Sequence, residues 1–291
     1  MSINKWVVSA VVGVGLAMAG ANASACAGAG VITRIIGKPQ DVIILRINAA
    51  GQRAPVARPR VLEVLCASDT IHVQNGAAAT LSIDGAPIVK VQGGEAYTVA
   101  ARRGAPTLAG NAYRNVSDHL LPDMKRQPWD VRLRGPGPAL GFALTSLSSG
   151  HQVLVAGTQN LLVRLDGGVG AYKIELVDAG GAVVGRAGGG GSDLILPSVN
   201  LAPGAYVLRA ADSSGAKVEG KFTVVSDQPP LSADYDGISD REVQAAARAA
   251  DLARNNADTW SFQAEQVLND APVTGLDRES VFKLIESYGP A

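Results

Sequence analysis

Residues able to do chemistry are scarce in this chain. It has two cysteines, Cys26 and Cys66, and three histidines, His72, His119 and His151. Two cysteines do not suffice for a thiolate-rich zinc site. The histidines fall in separate segments without H-E-x-x-H spacing. No G-x-S-x-G elbow and no G-x-x-x-x-G-K-S/T phosphate loop occurs. Aromatic residues make up 4% of the chain and do not interleave with its basic loops, so a base-stacking platform for nucleic acid is not indicated. The net charge is zero, which removes any general drive toward nucleic acid or an anionic membrane surface. The expectation is a protein without catalytic residues, cofactor or metal site, and therefore not an enzyme.

Glycine and small apolar residues are what the chain does have. Hydrophobic residues reach 47% and glycine 34 of 291, enough for folded cores built from short strands and tight turns. At ~100–150 residues per domain, the length suits two domains and extras. The overall neutrality conceals an asymmetry. Residues 27–135 carry 14 Lys/Arg against 8 Asp/Glu, whereas residues 231–291 carry 5 against 11. A basic front and an acidic tail can attract each other, within one molecule or between two.

One apolar run stands out. Lys5 precedes an uncharged stretch from Trp6 to Ala19, and Ala21-Asn22-Ala23 and Ala23-Ser24-Ala25 both have the A-x-A form of a cleavage site. Residues 1–25 read as a secretory signal peptide, since a spanning helix needs ~20 apolar residues. The expected location is periplasmic or extracellular. Cys26, directly after the second A-x-A, has three readings. It can bond to Cys66, since disulfides persist in oxidising compartments, and closing that loop removes unfolded-state entropy worth ~3–4 kcal/mol. It can carry a lipid and anchor the chain to a membrane, although Ala23 stands where the lipoprotein pattern wants a Leu-like residue. Or both thiols stay free.

Residues 27–103 predict a β domain with turns every eight to twelve residues. Val31 to Ile36 ends at Gly37-Lys38-Pro39; Asp41 to Ile47 follows; Arg53 to Arg60 reads as a Pro/Arg loop. Val61–Cys66 and Asp69–Val73 lead to Asn75-Gly76, and Ala79–Ile83 to Asp84-Gly85. Ile88–Gln92 and Ala96–Ala100 complete the set. The early strand with Gly37, the run Val64-Leu65-Cys66-Ala67-Ser68-Asp69-Thr70-Ile71, Gly76 with Ala78-Thr80-Leu81, and the Asp84-Gly85 turn resemble the FecR-like domain of bacterial exported and signalling proteins. Ala67-Ser68 departs from that family's pattern, which has a glycine before the aspartate. The best known member's cytoplasmic regulatory part has no counterpart here, so its role does not carry over.

Residues 104–136, with several prolines and basic residues, read as a linker with one short helix around Val116 to Met124. Residues 137–226 predict a second β unit. Its strands are expected at Gln152–Val155, Asn160–Leu165, Ala171–Val177, Ala182–Val184, Asp193–Leu196, Leu201–Ala210 and Lys221–Val225, with a flexible tip at Gly188 to Gly191. The run Leu201-Ala202-Pro203-Gly204-Ala205-Tyr206-Val207-Leu208, then Asp212 to Gly215 and Gly220-Lys221-Phe222-Thr223-Val224, resembles the end of a bacterial Ig-like or fibronectin-III-like β-sandwich. That likeness implies a fold and is silent on function.

Residues 237–291 predict a helical tail. Ser239 with Glu242 reads as a capping box, followed by an Ala-rich helix to about Asn255, a second helix over Asp258–Asn269 and a third over Asp277–Tyr288. Capping of the Ig-like unit is the expected role. Asp234, Asp236 and Asp240 lack calcium-loop spacing and read as acids near a helix start. The fold class expected is thus mainly β, a FecR-like β domain plus an Ig-like sandwich with an α-helical tail. The functional expectation is an adaptor or sensor module binding an envelope protein or cell-wall component, with a surface lipoprotein anchored through Cys26 as the alternative. A possible anion or partner patch comprises Arg53, Arg58, Arg60, Arg102 and Arg103.

Overall fold

Strand β1 (Gly28–Ile36) is buried along its first six residues, the mark of a strand covered on both faces. In this computed structural model, which describes residues 26, 28–48, 50–56, 58–100, 112–113, 115–116 and 139–288, one cover is a second sheet and the other a group of C-terminal helices. β1 lies between β4 (Val64–Cys66) and β6 (Ala78–Ile83), with β7 (Val89–Gln92) beyond β6. The facing sheet has the order β3-β2-β5-β8, from β3 (Arg53–Val56), β2 (Val42–Ile47), β5 (Thr70–Val73) and β8 (Ala96–Thr98). Every pairing in this unit is antiparallel. Ile32, Leu65 and Leu81 of one sheet meet Ile44, Ile71 and Val73 of the other in a single core.

The turn signals divide by role. Asp84-Gly85 closes the β6–β7 hairpin, with Gly85 at φ +73°. Asn75-Gly76 instead carries the chain from β5 in one sheet to β6 in the other. The expected Arg53–Arg60 loop is half strand: residues 53–56 form β3, pairing Leu45 with Pro55 and Ile47 with Arg53. Proline is tolerated there because β3 is an edge strand, where a missing N–H breaks no central ladder. The small residues of β1 are set by packing. A Cβ on Gly28 would stand 2.5 Å from the Tyr113 Cβ, and one on Gly30 only 2.3 Å from the Ser82 carbonyl oxygen.

The second β unit pairs a five-stranded sheet, order β10-β16-β15-β12-β13, with a three-stranded one, order β14-β11-β9. Its strands are β9 (Gly141–Phe142), β10 (Gln152–Val155), β11 (Gly157–Asp166), β12 (Tyr172–Asp178), β13 (Val183–Gly189), β14 (Asp193–Leu201), β15 (Gly204–Ala211) and β16 (Lys217–Val225). The expected tip at 188–191 is partly strand, because Gly188 and Gly189 pair with Lys173 and Tyr172. β10 runs parallel to β16; the other pairings are antiparallel. Tyr206 makes a corner of the kind found in β-sandwiches: its hydroxyl donates to the Ala202 carbonyl at 3.0 Å and accepts from the Ala202 N–H at 3.1 Å. Its ring stacks on Phe222 at 5.6 Å.

The tail forms helices α1 (Arg241–Asn255), α2 (Ala257–Asn269) and α3 (Arg278–Ser287). The expected capping box is not formed. Asp240 caps α1, accepting from the Glu242 and Val243 N–H groups, and Glu242 turns instead to the α2–α3 loop. The role is also wider than capping the second unit. Ala246, Ala250, Leu268 and Leu284 share one core with Val31, Leu62 and Val64 of the first unit and Leu162 of the second. Ala112, Tyr113 and Val116, from the stretch expected as linker, are buried in that same core. The tail is therefore the joint between the two β units. No helix among the described residues is long and apolar enough to cross a membrane.

Candidate functional site

The chain between β3 and β4 must turn sharply to bring Leu62 beneath β1. Leu62 has φ +64° and is fully buried; its N–H donates to the Ile32 carbonyl at 2.7 Å, and the Ile32 N–H donates to Glu63 at 3.0 Å. Four residues earlier, Arg58 also lies in the left-handed region, φ +52°. Non-glycine residues held there are uncommon, and such positions concentrate at functional sites. The segment Arg58-Pro59-Arg60 borders a groove of about 630 Å³.

Two further segments enclose this groove. The Gly37-to-Gln40 turn after β1 contributes Pro39 and Gln40, and the start of α3 contributes Asp277 and Ser280. Asp277 is fixed twice. Its N–H donates to the Thr33 carbonyl at 2.8 Å, holding α3 to β1, and its carboxylate accepts from the Ser280 hydroxyl at 2.9 Å. Partial burial, reinforced by the neighbouring Arg58 cation, pulls the Arg60 guanidinium below its usual pKa, and Glu63 opposes that shift. Arginine stays charged at any physiological pH. The groove thus presents two cations from one segment, and a helix start bearing Asp277 and a hydroxyl from another. Such a surface can hold an anionic group and orient a polar neighbour.

Of the expected patch, the structure brings Arg58 and Arg60 together. Arg53 stands exposed at the start of β3 and does not line the groove. Arg102 and Arg103 lie outside the described residues, as do His119 and residues 1–25. His72 is on β5 and His151 precedes β10. No group of three or more His, Cys, Asp or Glu able to hold a metal occurs among the described residues. Asp277 and Ser280 were not foreseen as lining residues. Their sequence announces only a helix cap, and nothing local signals that the cap rests against β1.

Cys26 and Cys66 form a disulfide, which ties the start of β1 to the end of β4. The turn after Cys66 is locked by buried Asp69. Its carboxylate accepts from the Cys66 N–H at 2.8 Å and from Arg46, whose Nη2 lies 2.8 Å away and also donates to the Val64 carbonyl at 2.6 Å. Ser68, in the place where a glycine was expected, takes φ +72° itself.

No family model and no curated protein matches the chain. Among solved structures, CopC from Methylosinus trichosporium OB3b is 33% identical over 26% of this chain and 83% of its own, with a TM-score of 0.20. RgpB of Porphyromonas gingivalis is 16% identical over 31% of this chain and 19% of its own, TM-score 0.24. SGBP-B of the Bacteroides ovatus mixed-linkage glucan utilization locus, solved with a mixed-linkage heptasaccharide, is 11% identical over 63% of this chain and 60% of its own, TM-score 0.23. At such scores the likenesses assign the chain to no family, and the architecture rests on its own strands and registers.

Proposed function

We propose that this chain is an exported, non-enzymatic adaptor whose groove beside Arg58 and Arg60 receives an anionic group of a cell-envelope partner. The observation that carries the reading is the convergence of these two arginines, two residues apart, on a groove completed by a helix from the far end of the chain. Export is supported by the leader-like residues 1–25 and by the Cys26–Cys66 disulfide, a bond that persists in oxidising compartments. The non-enzymatic part rests on the absence of H-E-x-x-H, G-x-S-x-G and G-x-x-x-x-G-K-S/T spacings from the sequence. The lipoprotein alternative competes for the same atom, because a Cys26 sulfur held in a disulfide has no valence left for a lipid thioether.

A photo-crosslinking residue at Gln40, in the groove, and another at exposed Glu219, remote from it, test the reading in the envelope fraction. The expected result is an adduct specific to position 40 that disappears in Arg58→Glu/Arg60→Glu. Identical adducts at both positions, or an adduct unaffected by the charge reversal, would remove the groove from consideration. The mass of the mature chain tests export separately: it should begin near Cys26, and a cytosolic chain beginning at Met1 would end the export reading.

A further inference from the structure

Arg164, at the end of β11, is 7% exposed and surrounded by acids from three elements. Its Nη1 lies 2.5 Å from Glu286 and its Nη2 2.6 Å from Glu279, both on α3, while its Nε lies 3.3 Å from Asp193 on β14. The guanidinium also sits 4.5 Å from the centre of the Phe282 ring. A fourth acid, Glu265 of α2, is 1% exposed, and its Oε1 has no hydrogen-bond partner among the described residues. The other cation here is Lys283, exposed and 3.4 Å from Glu279. The buried residues of α1 are mostly apolar, and its one buried acid, Glu242, is taken up by the α2–α3 loop and Arg278.

The charges do not balance. Four carboxylates share one buried guanidinium; Glu279 and Asp193 are about half exposed and stay solvated, but Glu265 is buried and Glu286 largely so, and burying an unpaired carboxylate is costly enough that such a group takes a proton instead. We infer that docking of the tail onto the second β unit binds protons, so that mild acidification tightens this joint and alkalinity loosens it. The same direction follows from the local environment. Burial drives Glu265 well above the ordinary carboxylate range, and nearby Glu286 adds to it. Burial likewise raises Glu286 to about 7, with Arg164 opposing and Glu279 and Asp193 adding. Undocked, both groups ionise in the ordinary range. Docked, they keep protons to higher pH, and between those limits the docked state binds more protons. Its stability therefore falls as pH rises from about 4.5 toward 7, and the dependence levels off above the docked value.

Hydrogen exchange of the full mature chain, read by mass spectrometry on peptides from 257–288 and corrected for intrinsic rates, tests the inference. Opening of α2 and α3 should be roughly twentyfold rarer at pH 5.5 than at pH 7.5 from Glu286 alone, and rarer still with Glu265. Glu265→Gln and Glu286→Gln, each mimicking the protonated acid, should raise protection at pH 7.5 and flatten the profile. Equal or more frequent opening at pH 5.5 in the unmodified chain would overturn the inference, with no variant needed. A slope unchanged in both single variants would overturn it as well.

Discussion

Gln266 holds the backbone of Leu162 from both sides: its Oε1 accepts from the Leu162 N–H at 2.8 Å and its Nε2 donates to the Leu162 carbonyl at 3.2 Å. A helix side chain thus supplies the pair of bonds that a neighbouring strand would make, in a place where α2 lies against β11. Gln263 repeats the device at β10, and Gln152 works in reverse, from strand side chain to helix backbone. Gln152 Oε1 accepts from the Phe262 N–H at 2.8 Å and its Nε2 donates to the Ala257 carbonyl, while Gln263 accepts from the Val155 N–H at 2.9 Å. An exposed strand edge invites pairing with another chain, and these amides close it from within.

Replacing Gln266 with leucine keeps its bulk and removes both bonds. Two buried backbone groups are then left unpaired, at a cost of about 1–3 kcal/mol each. Urea unfolding of Gln266→Leu should show a loss of about 2–5 kcal/mol at unchanged m. A loss below about 1 kcal/mol would mean that Leu162 finds other partners.

Glu242 should give the acid side of the pH profile its slope. It is fully buried, and its Oε2 accepts from the N–H groups of Thr274, Gly275 and Leu276 at 2.7–3.0 Å, while Arg278 Nε lies 2.5 Å from Oε1. Burial alone raises its pKa, but the Leu276 N–H, Arg278 and the remaining donors outweigh that and hold it below the ordinary value. The stabilisation is present above the unfolded carboxylate range and is lost as pH falls through the lower folded value. Glu242→Gln should destabilise by about 3 kcal/mol or more at neutral pH and blunt the fall below about pH 4. Since Glu265 and Glu286 act in the opposite sense, thermal midpoints of the unmodified chain should peak in mild acid.

The disulfide closes a separation of 40 residues. Cys26→Ser/Cys66→Ser should lower stability by ~3–4 kcal/mol on the chain-entropy model, read as a shift in denaturant midpoint. The intact mass of the purified chain should fall 2 Da below that of the reduced form, by the chemistry of the bond. Equal masses would mean free thiols, and a mass higher by a diacylglyceryl group would mean a lipid.

Deleting residues 231–291 should not leave two intact β units. It removes the helices that cover Val31, Leu62 and Val64, exposing apolar surface worth ~25 cal/mol per Å². The expected product binds a hydrophobic dye and loses near-ultraviolet dichroism. A monomeric, cooperatively folding remnant would show instead that the tail is an accessory.

Much of this architecture was legible locally. β-branched runs such as Val42 to Ile47 and the hairpin at Asp84-Gly85 followed from propensity and turn chemistry. The Cys26–Cys66 bond was one of three readings of Cys26 that the sequence left open, and the fold brings the two together. β3 escaped notice because its proline and arginine suggest a loop, and only β2 makes it a strand. The start of β1 escaped because Gly28-Ala29-Gly30 lacks bulk, and the reasons are Tyr113 at Gly28 and the Ser82 carbonyl at Gly30, both distant in sequence. The same holds for the candidate site. Arg58 and Arg60 were visible as a basic loop, whereas Asp277 joins them only through the Thr33 contact. The basic front and the acidic tail could have attracted each other; among the described residues the tail's acids pair with Arg164 of β11 and with Arg248, Arg278 and Lys283 of the tail itself. A charge tally counts signs and does not say which side chains share a core.

Placing the joint at the C-terminus sets an order of events. The residues of α1, α2 and α3 follow both β units in the chain, so β1 waits with its outer face wet while roughly two hundred residues are added before them. The Cys26–Cys66 bond ties the start of β1 to the end of β4 without any contribution from those helices.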